Sequence, residues 1–253
     1  MYHVIIPARF SSSRLPGKAL LTVGDRPLIQ WVWGCARASG AGTVIIATDD
    51  VRIFESASGF GADCMMTSSH HASGTDRIAE VVRAQGFAAE DVVVNLQGDE
   101  PLMPPAVVQG VAHALEARPQ VDIATAVAPI RSLAEFIDPN CVKALRAIDG
   151  EALYFSRAPV PWPRDDARDG QPARFAGAWR HTGIYAYRVR SLLKLASWAP
   201  TPLEEAEKLE QLRALEHGMR IHLVELADAP PAGVDTPEDL ARVRAAVAAG
   251  GSP

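Results

Sequence analysis

Three cationic residues lie close together in the loop that follows the first predicted strand. They are Arg9, Arg14 and Lys18, and no acidic residue occurs before Asp25. In an open α/β sheet, ligands bind beyond the carboxyl ends of the strands, so a cationic loop at this position suits a polyanion such as a triphosphate. A solvated basic turn is the structural alternative.

The dipeptide Gly17-Lys18 invites comparison with a P-loop, in which a glycine-rich turn cradles phosphates. The match fails because Ser12 stands where the motif has its first glycine and Ala19 stands where it has Ser or Thr. The chain also contains no HExxH, GxSxG or GxGxxG motif. The sequence therefore disfavours P-loop NTPases, metalloproteases, serine hydrolases and dinucleotide-binding dehydrogenases.

Two aspartates, Asp99 and Asp235, follow or precede elements that could place them at a ligand site. Asp99 comes after an apolar strand and after Gly98, which allows a close approach of backbone to a ligand. Asp235 directly precedes a capped helix. Carboxylates are hard oxygen ligands for Mg²⁺, which commonly bridges substrate phosphates. Taken singly, Asp99 could lie in a polar turn and Asp235 could merely complement the helix dipole.

The segment Ser73-Gly74-Thr75-Asp76-Arg77 places small hydroxyl residues and exposed amides at a predicted helix start. Such a start can bind a base edge or a phosphate, although this segment alone is a weak signal. The neighbouring His70 and His71 are adjacent in sequence rather than four residues apart. We interpret them as solvated loop residues rather than metal ligands.

Short β-rich runs alternate with helical patterns through the first half of the chain. The predicted buried strands are Val4–Ala8, Val44–Thr48, Val92–Leu96 and Ile123–Val127. Helices are predicted after Pro27 and after Thr75, where apolar residues recur at helical spacing. This alternation predicts an α/β fold with a mixed, mostly parallel sheet flanked by crossover helices.

The pattern changes after Pro139. Asp149-Gly150 separates two β-rich runs and predicts a tight antiparallel hairpin. Residues 157–172 contain four prolines and dense charge, which predicts a long loop. A leucine stripe predicts one helix over residues 203–217 that ends at Gly218. Thr236, as N-cap, begins the last predicted helix.

Length and composition narrow the possible classes of protein further. The chain has 253 residues and a net charge of −5, which argues against an overall basic surface for nucleic acid or anionic lipid. Its three cysteines have no CxxC spacing and predict buried thiols in a reducing compartment. Neither a signal peptide nor a membrane span is predicted. We therefore expect a cytoplasmic protein.

Several of these segments occur together, in order and at compatible spacing, across almost the whole chain. They are Pro7-Ala8-Arg9, Arg14-Leu15-Pro16-Gly17-Lys18, Ser73-Gly74-Thr75-Asp76-Arg77, Gln97-Gly98-Asp99-Glu100-Pro101, Tyr154-Phe155-Ser156-Arg157 and Gly233-Val234-Asp235-Thr236-Pro237-Glu238-Asp239. The chain closely resembles the 3-deoxy-manno-octulosonate (Kdo) cytidylyltransferases, the CMP-Kdo synthetases of Gram-negative bacteria.

The resemblance implies an architecture and an activity. We expect one Rossmann-like nucleotidyltransferase domain over residues 1–253, with an inserted hairpin and loop lobe at about 140–190 that contributes to sugar binding and to a homodimer. The implied reaction is transfer of a cytidylyl group from CTP to Kdo, with release of pyrophosphate. In-line displacement at phosphorus needs positioning and charge neutralisation more than a protein nucleophile.

The resemblance also implies roles for individual residues. Asp99 and Asp235 would hold Mg²⁺ as cofactor, and Lys18 would neutralise transition-state charge. The implied nucleotide-binding residues are Ala8, Arg9, Arg14, Lys18, Ser73, Gly74, Arg77 and Gln97. The implied sugar-binding residues are Arg157, His181, Tyr185, Glu210 and Gln211. An arginine suits the sugar carboxylate, since its planar fork can bind two oxygens.

Other functions stay open at this point. His181 and Tyr185 could form one face of an ordinary strand, and Glu210 and Gln211 could form the polar face of a helix. The acceptor could be an amino-substituted Kdo or another sugar acid, since the sialic acid synthetases share the chemistry. A metal-dependent glycosyltransferase is disfavoured because no Asp-x-Asp motif occurs. A noncatalytic CTP sensor is the alternative from a different functional class.

Overall fold

The computed structural model describes residues 1–11, 15–164 and 177–250. Arg14 and the second half of the predicted 157–172 loop lie outside the described residues. The strands are β1 (Tyr2–Ala8), β2 (Thr22–Val23), β3 (Arg26–Pro27), β4 (Thr43–Thr48), β5 (Asp63–Met66), β6 (Val92–Asn95), β7 (Ile123–Pro129), β8 (Lys143–Arg146), β9 (Ala152–Ser156), β10 (Ala178–Arg188) and β11 (Ile221–Glu225). The α-helices are α1 (Leu28–Ala38), α2 (Val51–Gly59), α3 (Gly74–Gln85), α4 (Pro105–Glu116), α5 (Leu133–Ile137), α6 (Val189–Leu195), α7 (Pro202–Glu207), α8 (Gln211–Glu216) and α9 (Pro237–Ala248).

Nine strands of the described chain form one large sheet. Its central path is β11-β7-β10-β6-β1-β4-β5, and the hairpin β8–β9 attaches through β8 to β10. Neighbours from β6 to β5 are parallel, as are β7 and β11, whereas β10 is antiparallel to both β6 and β7. The predicted mixed, mostly parallel α/β sheet is confirmed.

Helices cover both faces of this sheet. Successive residues of β1 point to opposite faces: Val4 and Ile6 belong to one apolar core, and Ile5 belongs to the other. Buried residues of α1, α4 and α9 line the first core, and those of α3, α6 and α8 line the second. Because the strands are covered on both faces, they are continuously apolar in sequence.

The segment predicted as a lobe of about 140–190 divides into two parts. The hairpin β8–β9 turns at Asp149-Gly150, as predicted, and Gly150 has a φ of +91°. β10 belongs instead to the centre of the main sheet, between β6 and β7. The antiparallel extension is therefore carried by β8 and β9, while residues 178–188 are part of the core.

The prediction of one helix over residues 203–217 is wrong. The chain forms α7 and α8, which are separated at Lys208, where φ is +54°. The leucine stripe continues across the break because Leu209 and Leu212 are both buried in the same core. The spacing of apolar residues therefore indicates which side chains are buried, but it does not reveal the break in the helix at Lys208. The helix end at Gly218 is confirmed, with a φ of +77°.

Several smaller predictions also have an outcome. Cys35 and Cys141 are buried free thiols, whereas Cys64 is partly exposed. His71 is not a solvated loop residue, since its ring contacts the Glu80 carboxylate, while His70 is exposed. In the described residues, no helix combines the length and the apolarity needed to cross a membrane.

Candidate active site

Lys18 lies between two carboxylates that are distant in sequence. Its Nζ is 2.6 Å from Asp99 Oδ2 and 2.8 Å from Asp235 Oδ1. Burial alone would lower the pKa of Lys18, but the charges of Asp99 and Asp235 raise it above its ordinary value. The ammonium group therefore stays protonated at neutral pH and offsets the repulsion between the two aspartates.

Backbone and capping hydrogen bonds hold the segments that carry Asp99 and Asp235 in place. Val234 N–H donates to the Asp99 carbonyl at 2.8 Å, which fixes the segment before α9 against the turn after β6. The N-cap residue of α9 is Thr236, whose side chain accepts from Asp239 N–H. The Asp239 carboxylate accepts in return from the N–H groups of Asp235 and Thr236, at 3.1 and 3.0 Å. The predicted capping box thus also orients Asp235.

Gly98 is required by packing rather than by a positive φ. A Cβ at this position would lie 2.8 Å from the Pro7 carbonyl oxygen and 3.4 Å from Ala8 Cβ. The predicted close approach is therefore made to β1, which lies beside β6 in the sheet. This approach brings Asp99 next to the loop that carries Lys18, because parallel neighbours end at the same edge.

A first cavity of about 320 Å³ opens at this edge. Its walls are Pro7, Ala8, Arg9, Ser11, Lys18, Ala19, Gly74, Gln97, Gly98 and Asp99. The structure therefore brings together five of the predicted nucleotide-binding residues, which are Ala8, Arg9, Lys18, Gly74 and Gln97. Ser73 caps α3 at the border of this cavity and accepts from Asp76 N–H at 3.1 Å. The arrangement combines cations, a carboxylate and a helix start, and it can bind a phosphorylated ligand.

Arg77, which was predicted to bind the base, is fully buried. Its guanidinium donates to the Asp49 carboxylate at 2.7 Å and contacts the Thr67 hydroxyl. It does not line the first cavity. In this structure it ties α3 to the ends of β4 and β5.

A second cavity of about 160 Å³ shares two wall residues, Gly74 and Gln97, with the first. Its other walls are Thr75, Asn95, Tyr185, Tyr187, Glu210 and Gln211. Gln211 is 5% exposed, and its Nε2 atom has no hydrogen-bond partner among the described residues. Burial raises the pKa of Glu210, which contacts the Thr75 hydroxyl. Carboxylate, amide and phenol groups in one small cavity suit the hydroxyls of a sugar.

The remaining predicted sugar-binding residues lie outside this second cavity. His181 is behind Tyr185, at 5.4 Å between ring centroids, and its Nε2 is 3.0 Å from Thr125 Oγ1. Arg157 donates through Nε to the Glu207 carbonyl at 2.7 Å, and through a terminal nitrogen to the Pro139 carbonyl at 2.9 Å. Tyr185, Glu210 and Gln211 are thus assembled, whereas His181 and Arg157 are engaged elsewhere.

Sequence reasoning did not assign Asn95, Thr75 or Glu207 to the site. Asn95 accepts from Gln97 Nε2 at 3.2 Å and lines the second cavity. Its position two residues before Gln97, at the end of a strand, was an available signal, because such residues share a face. Glu207 had no such signal, since its partners are about fifty residues away in the chain.

A third cavity of about 360 Å³ adjoins Asp99 and Asp235 on another side and is rich in carboxylates. Glu100 is one of its wall residues. Burial, followed by the charges of Asp99 and Asp235, raises the pKa of Glu100 to about 7. Glu100 is therefore partly protonated near neutral pH, which limits the negative charge beside Asp99 and Asp235.

Asp99 and Asp235 fit a magnesium ion that a substrate helps to bind. Their oxygens converge on one cation, the Lys18 ammonium. Among the described residues, no group of three or more His, Cys, Asp or Glu is arranged to hold a metal by itself. Mg²⁺ is usually bound by one or two carboxylates together with water and substrate phosphates, and this donor set matches that pattern.

Comparison with known proteins identifies the family. A family model described as cytidylyltransferase matches residues 3–221. The 3-deoxy-manno-octulosonate cytidylyltransferase of Pseudomonas syringae pv. tomato is 52% identical over 246 residues, which cover 96% of both chains. The chain belongs to the 3-deoxy-manno-octulosonate cytidylyltransferase family. The family member from Vibrio cholerae is 49% identical over 247 residues, with 98% of both chains covered.

Solved structures agree with this family assignment. CMP:2-keto-3-deoxy-manno-octonic acid synthetase, solved as a complex with CTP, superposes with a TM-score of 0.90 at 39% identity, and the match covers 99% of this chain and 100% of that one. A nucleotidyl transferase from Methanothermobacter thermautotrophicus has a TM-score of 0.63 at 17% identity, over 99% of both chains. The second likeness shows the shared fold of nucleotidyltransferases and nothing finer.

Proposed function

We propose that this protein transfers a cytidylyl group from CTP to Kdo, releasing pyrophosphate and activating Kdo for lipopolysaccharide synthesis. The observation that carries the proposal is the contact of Lys18 with both Asp99 and Asp235 on the edge of the first cavity. This arrangement occurs in a chain that is about half identical to named Kdo cytidylyltransferases over nearly its full length.

The two adjoining cavities divide the substrates between them. CTP would lie in the first cavity, with its triphosphate near Arg9 and Lys18 and its base near the start of α3. Kdo would lie in the second cavity, where Glu210, Gln211 and Tyr185 face its hydroxyls. Because the two cavities share Gly74 and Gln97, this assignment would put the acceptor beside the nucleotide.

The chemical step is displacement at the α-phosphorus of CTP. The anomeric hydroxyl oxygen of Kdo forms a bond to this phosphorus and releases its proton to water. The bond to the pyrophosphate oxygen breaks, and pyrophosphate leaves. Lys18, which stays protonated, stabilises the charge that develops on the phosphate oxygens. Since no protein nucleophile takes part, the protein acts through positioning and charge.

Mg²⁺ is the proposed cofactor. Asp99 and Asp235 would hold it together with nucleotide phosphates, and Lys18 would then contact phosphate instead of both carboxylates. When bound, the ion supplies charge neutralisation and orientation of the phosphate and attacking oxygens.

We further propose a cytoplasmic homodimer that assembles through the β8–β9 hairpin. Ile148 is fully exposed, and Leu153 and Trp162 are 63% and 68% exposed. Ile148 lies in the hairpin turn, Leu153 lies on β9, and Trp162 lies in the segment that follows β9. Exposed apolar side chains of this kind suit a contact between protein surfaces. A second copy of the chain is the proposed partner for this surface.

Pyrophosphate release is the experiment that tests the proposed function. Wild-type protein is incubated with CTP, Mg²⁺ and Kdo, and then with amino-Kdo or sialic acid in place of Kdo, or with UTP or ATP in place of CTP. We expect strong release with CTP and Kdo alone. Release only with another sugar would keep the chemistry and replace the substrate. A protein that binds CTP but releases pyrophosphate with none of these pairs would be a sensor.

The metal assignment is tested by Asp99→Ala and Asp235→Ala. Each variant is expected to lose turnover while it keeps its circular dichroism spectrum, because one of two ligands for the ion is missing. EDTA should abolish the wild-type rate, and added Mg²⁺ should restore it. Near-wild-type turnover in either variant would exclude that residue as a metal ligand.

A further inference from the structure

Glu207 connects two segments that are about fifty residues apart in the chain. Its Oε1 accepts from Ser156 Oγ at 2.6 Å, and its Oε2 accepts from Arg157 N–H at 2.8 Å. Its carbonyl oxygen accepts from Arg157 Nε at 2.7 Å. One residue at the end of α7 therefore forms three hydrogen bonds with the end of β9.

The backbone turns sharply directly after Glu207. Lys208 has a φ of +54°, and it is the only non-glycine residue with positive φ in the described part of the chain. This conformation is unfavourable for a residue with a Cβ and persists only where surrounding contacts hold it. The Glu207 contacts hold one side of the corner between α7 and α8.

An ion pair holds the other side of this corner. Arg213 in α8 forms two hydrogen bonds with the Glu204 carboxylate in α7, at 2.5 and 2.7 Å. Arg213 is buried, so this pair joins α7 to α8. The hydrogen bonds of this pair do not involve β9. The hydrogen bonds of Glu207 connect the corner to the end of β9.

The corner carries two wall residues of the second cavity. Glu210 and Gln211 follow Lys208 by two and three residues and enter the cavity beside Tyr185. Glu207 itself does not line this cavity. A displacement of the corner would therefore move both side chains relative to Tyr185, while the first cavity has no wall residue from α7 or α8.

We propose that Glu207 is a positioning residue for the acceptor sugar acid, fixing the corner that carries Glu210 and Gln211 to the end of β9. The proposal rests on the proposed function, because the second cavity is assigned there to Kdo. Glu207 acts through these neighbours and does not touch the substrate.

The experiment compares the kinetics of the two substrates separately. In Glu207→Ala, kcat/KM for Kdo is expected to fall about 10- to 100-fold, since displacement of binding groups by about an ångström has effects of this size. KM for CTP and the CTP dissociation constant should stay within about twofold of wild type. Glu207→Gln keeps the acceptor for Ser156 but places an amide opposite Arg157 N–H, so an intermediate loss is expected.

Two further variants keep the test decisive. Ser156→Ala removes one of the three hydrogen bonds without changing charge, and it should raise KM for Kdo less than Glu207→Ala does. Glu205→Ala, at an exposed position of the same helix, should match wild type. If Glu207→Ala does not fold, Glu207→Gln and Ser156→Ala carry the measurement.

Three results would overturn the role of Glu207. They are an unchanged kcat/KM for Kdo, equal losses of kcat/KM for CTP and Kdo together with a lower Tm, and an effect in Glu205→Ala as large as in Glu207→Ala. Failure of the proposed function has a different signature, because wild-type protein would then release no pyrophosphate with Kdo. If another sugar acid is the substrate, the same comparison is made with that acid. If no sugar acid is a substrate, the role of Glu207 is excluded as well.

Discussion

Lys18, Asp99 and Asp235 come from three separate loops, and Lys18 lies 81 and 217 residues away from its two partners. Each aspartate alone has an ordinary structural explanation, as a polar turn or as a helix-dipole partner. Their contact with one ammonium group makes those explanations insufficient. When a ligand binds, its phosphates can pair with Lys18 and a metal ion can pair with the two aspartates, in place of the internal ion pairs. Charged clusters of this kind at the edge of a cavity are typical of functional sites.

His181 provides a prediction about pH at the level of one residue. Burial lowers the pKa of His181 to about 4, so the folded protein resists protonation of this ring between pH 6.5 and 4. The unfolded chain takes up the proton as pH falls through about 6.5, and stability is therefore lost over this interval. From pH 7.5 to 4.5 we expect a loss of about 2–3 kcal/mol in unfolding free energy from this residue.

Urea unfolding of wild type and His181→Gln at both pH values measures this loss. On acidification the variant should lose about 2–3 kcal/mol less unfolding free energy than wild type. His70→Gln is the matched control, because it makes the same substitution at an exposed ring. Equal acid sensitivity in wild type and His181→Gln would show that the ring is protonated in the folded state.

At the scale of elements, the site depends on how strand ends and helix starts meet. β1 and β6 lie side by side and end at the same edge, where Gly98 lets the following turn pack on β1. The capping box of α9 fixes the backbone of Asp235. The corner between α7 and α8 places Glu210 and Gln211. The same turns and caps that begin and end these elements therefore also orient the side chains of the candidate site.

Gly98→Ala should disturb this edge. The added Cβ would lie 2.8 Å from the Pro7 carbonyl oxygen, so the turn with Asp99 must move away from β1. We expect a loss of about 1–3 kcal/mol in unfolding free energy, as for other overpacked positions, and a higher KM for CTP. Urea unfolding and pyrophosphate release measure the two effects.

Gly110→Ala is the matched control for this prediction. Gly110 lies within α4, and a Cβ there would meet nothing within 4 Å. Alanine should stabilise the helix by about 0.5–1 kcal/mol, because glycine loses more backbone entropy on folding. If both variants behave alike, the close approach at Gly98 is not what that position requires.

At the scale of the whole molecule, the two cavities and the apolar hairpin lie on different parts of the large sheet. The first and second cavities lie at one edge of the sheet, whereas the β8–β9 hairpin extends from β10 and presents apolar side chains. Because β10 also lies between β6 and β7, the extension is continuous with the strands that form the cavities.

The proposed dimer predicts a change in mass on substitution at the hairpin. Ile148→Glu combined with Leu153→Glu should convert a dimer to a monomer, since two like charges would be buried at the contact. Analytical ultracentrifugation across a concentration series measures this change. Val51→Glu is the control, because Val51 is 58% exposed on α2, outside the hairpin. A monomeric wild type would exclude the proposed interface.

The sequence determined the elements and most of the chemistry of this protein. Apolar strands alternating with helices fix an α/β sheet, since each strand must be buried on both faces. Turn and cap residues such as Asp149-Gly150 and Thr236 were readable because their effects are local. The residue types of the site could be named from motifs before any contact was known.

Only the tertiary structure decided which of these residues meet. Periodicity reports burial, so it could not show the break at Lys208 or the insertion of β10 between β6 and β7. The charge of a side chain shows that it can bind an anion, but not which partner it has in the fold. The sequence therefore could not show that Arg77 and Arg157 form hydrogen bonds within the protein. Contacts between residues far apart in the chain depend on how all elements pack at once, which no local pattern encodes.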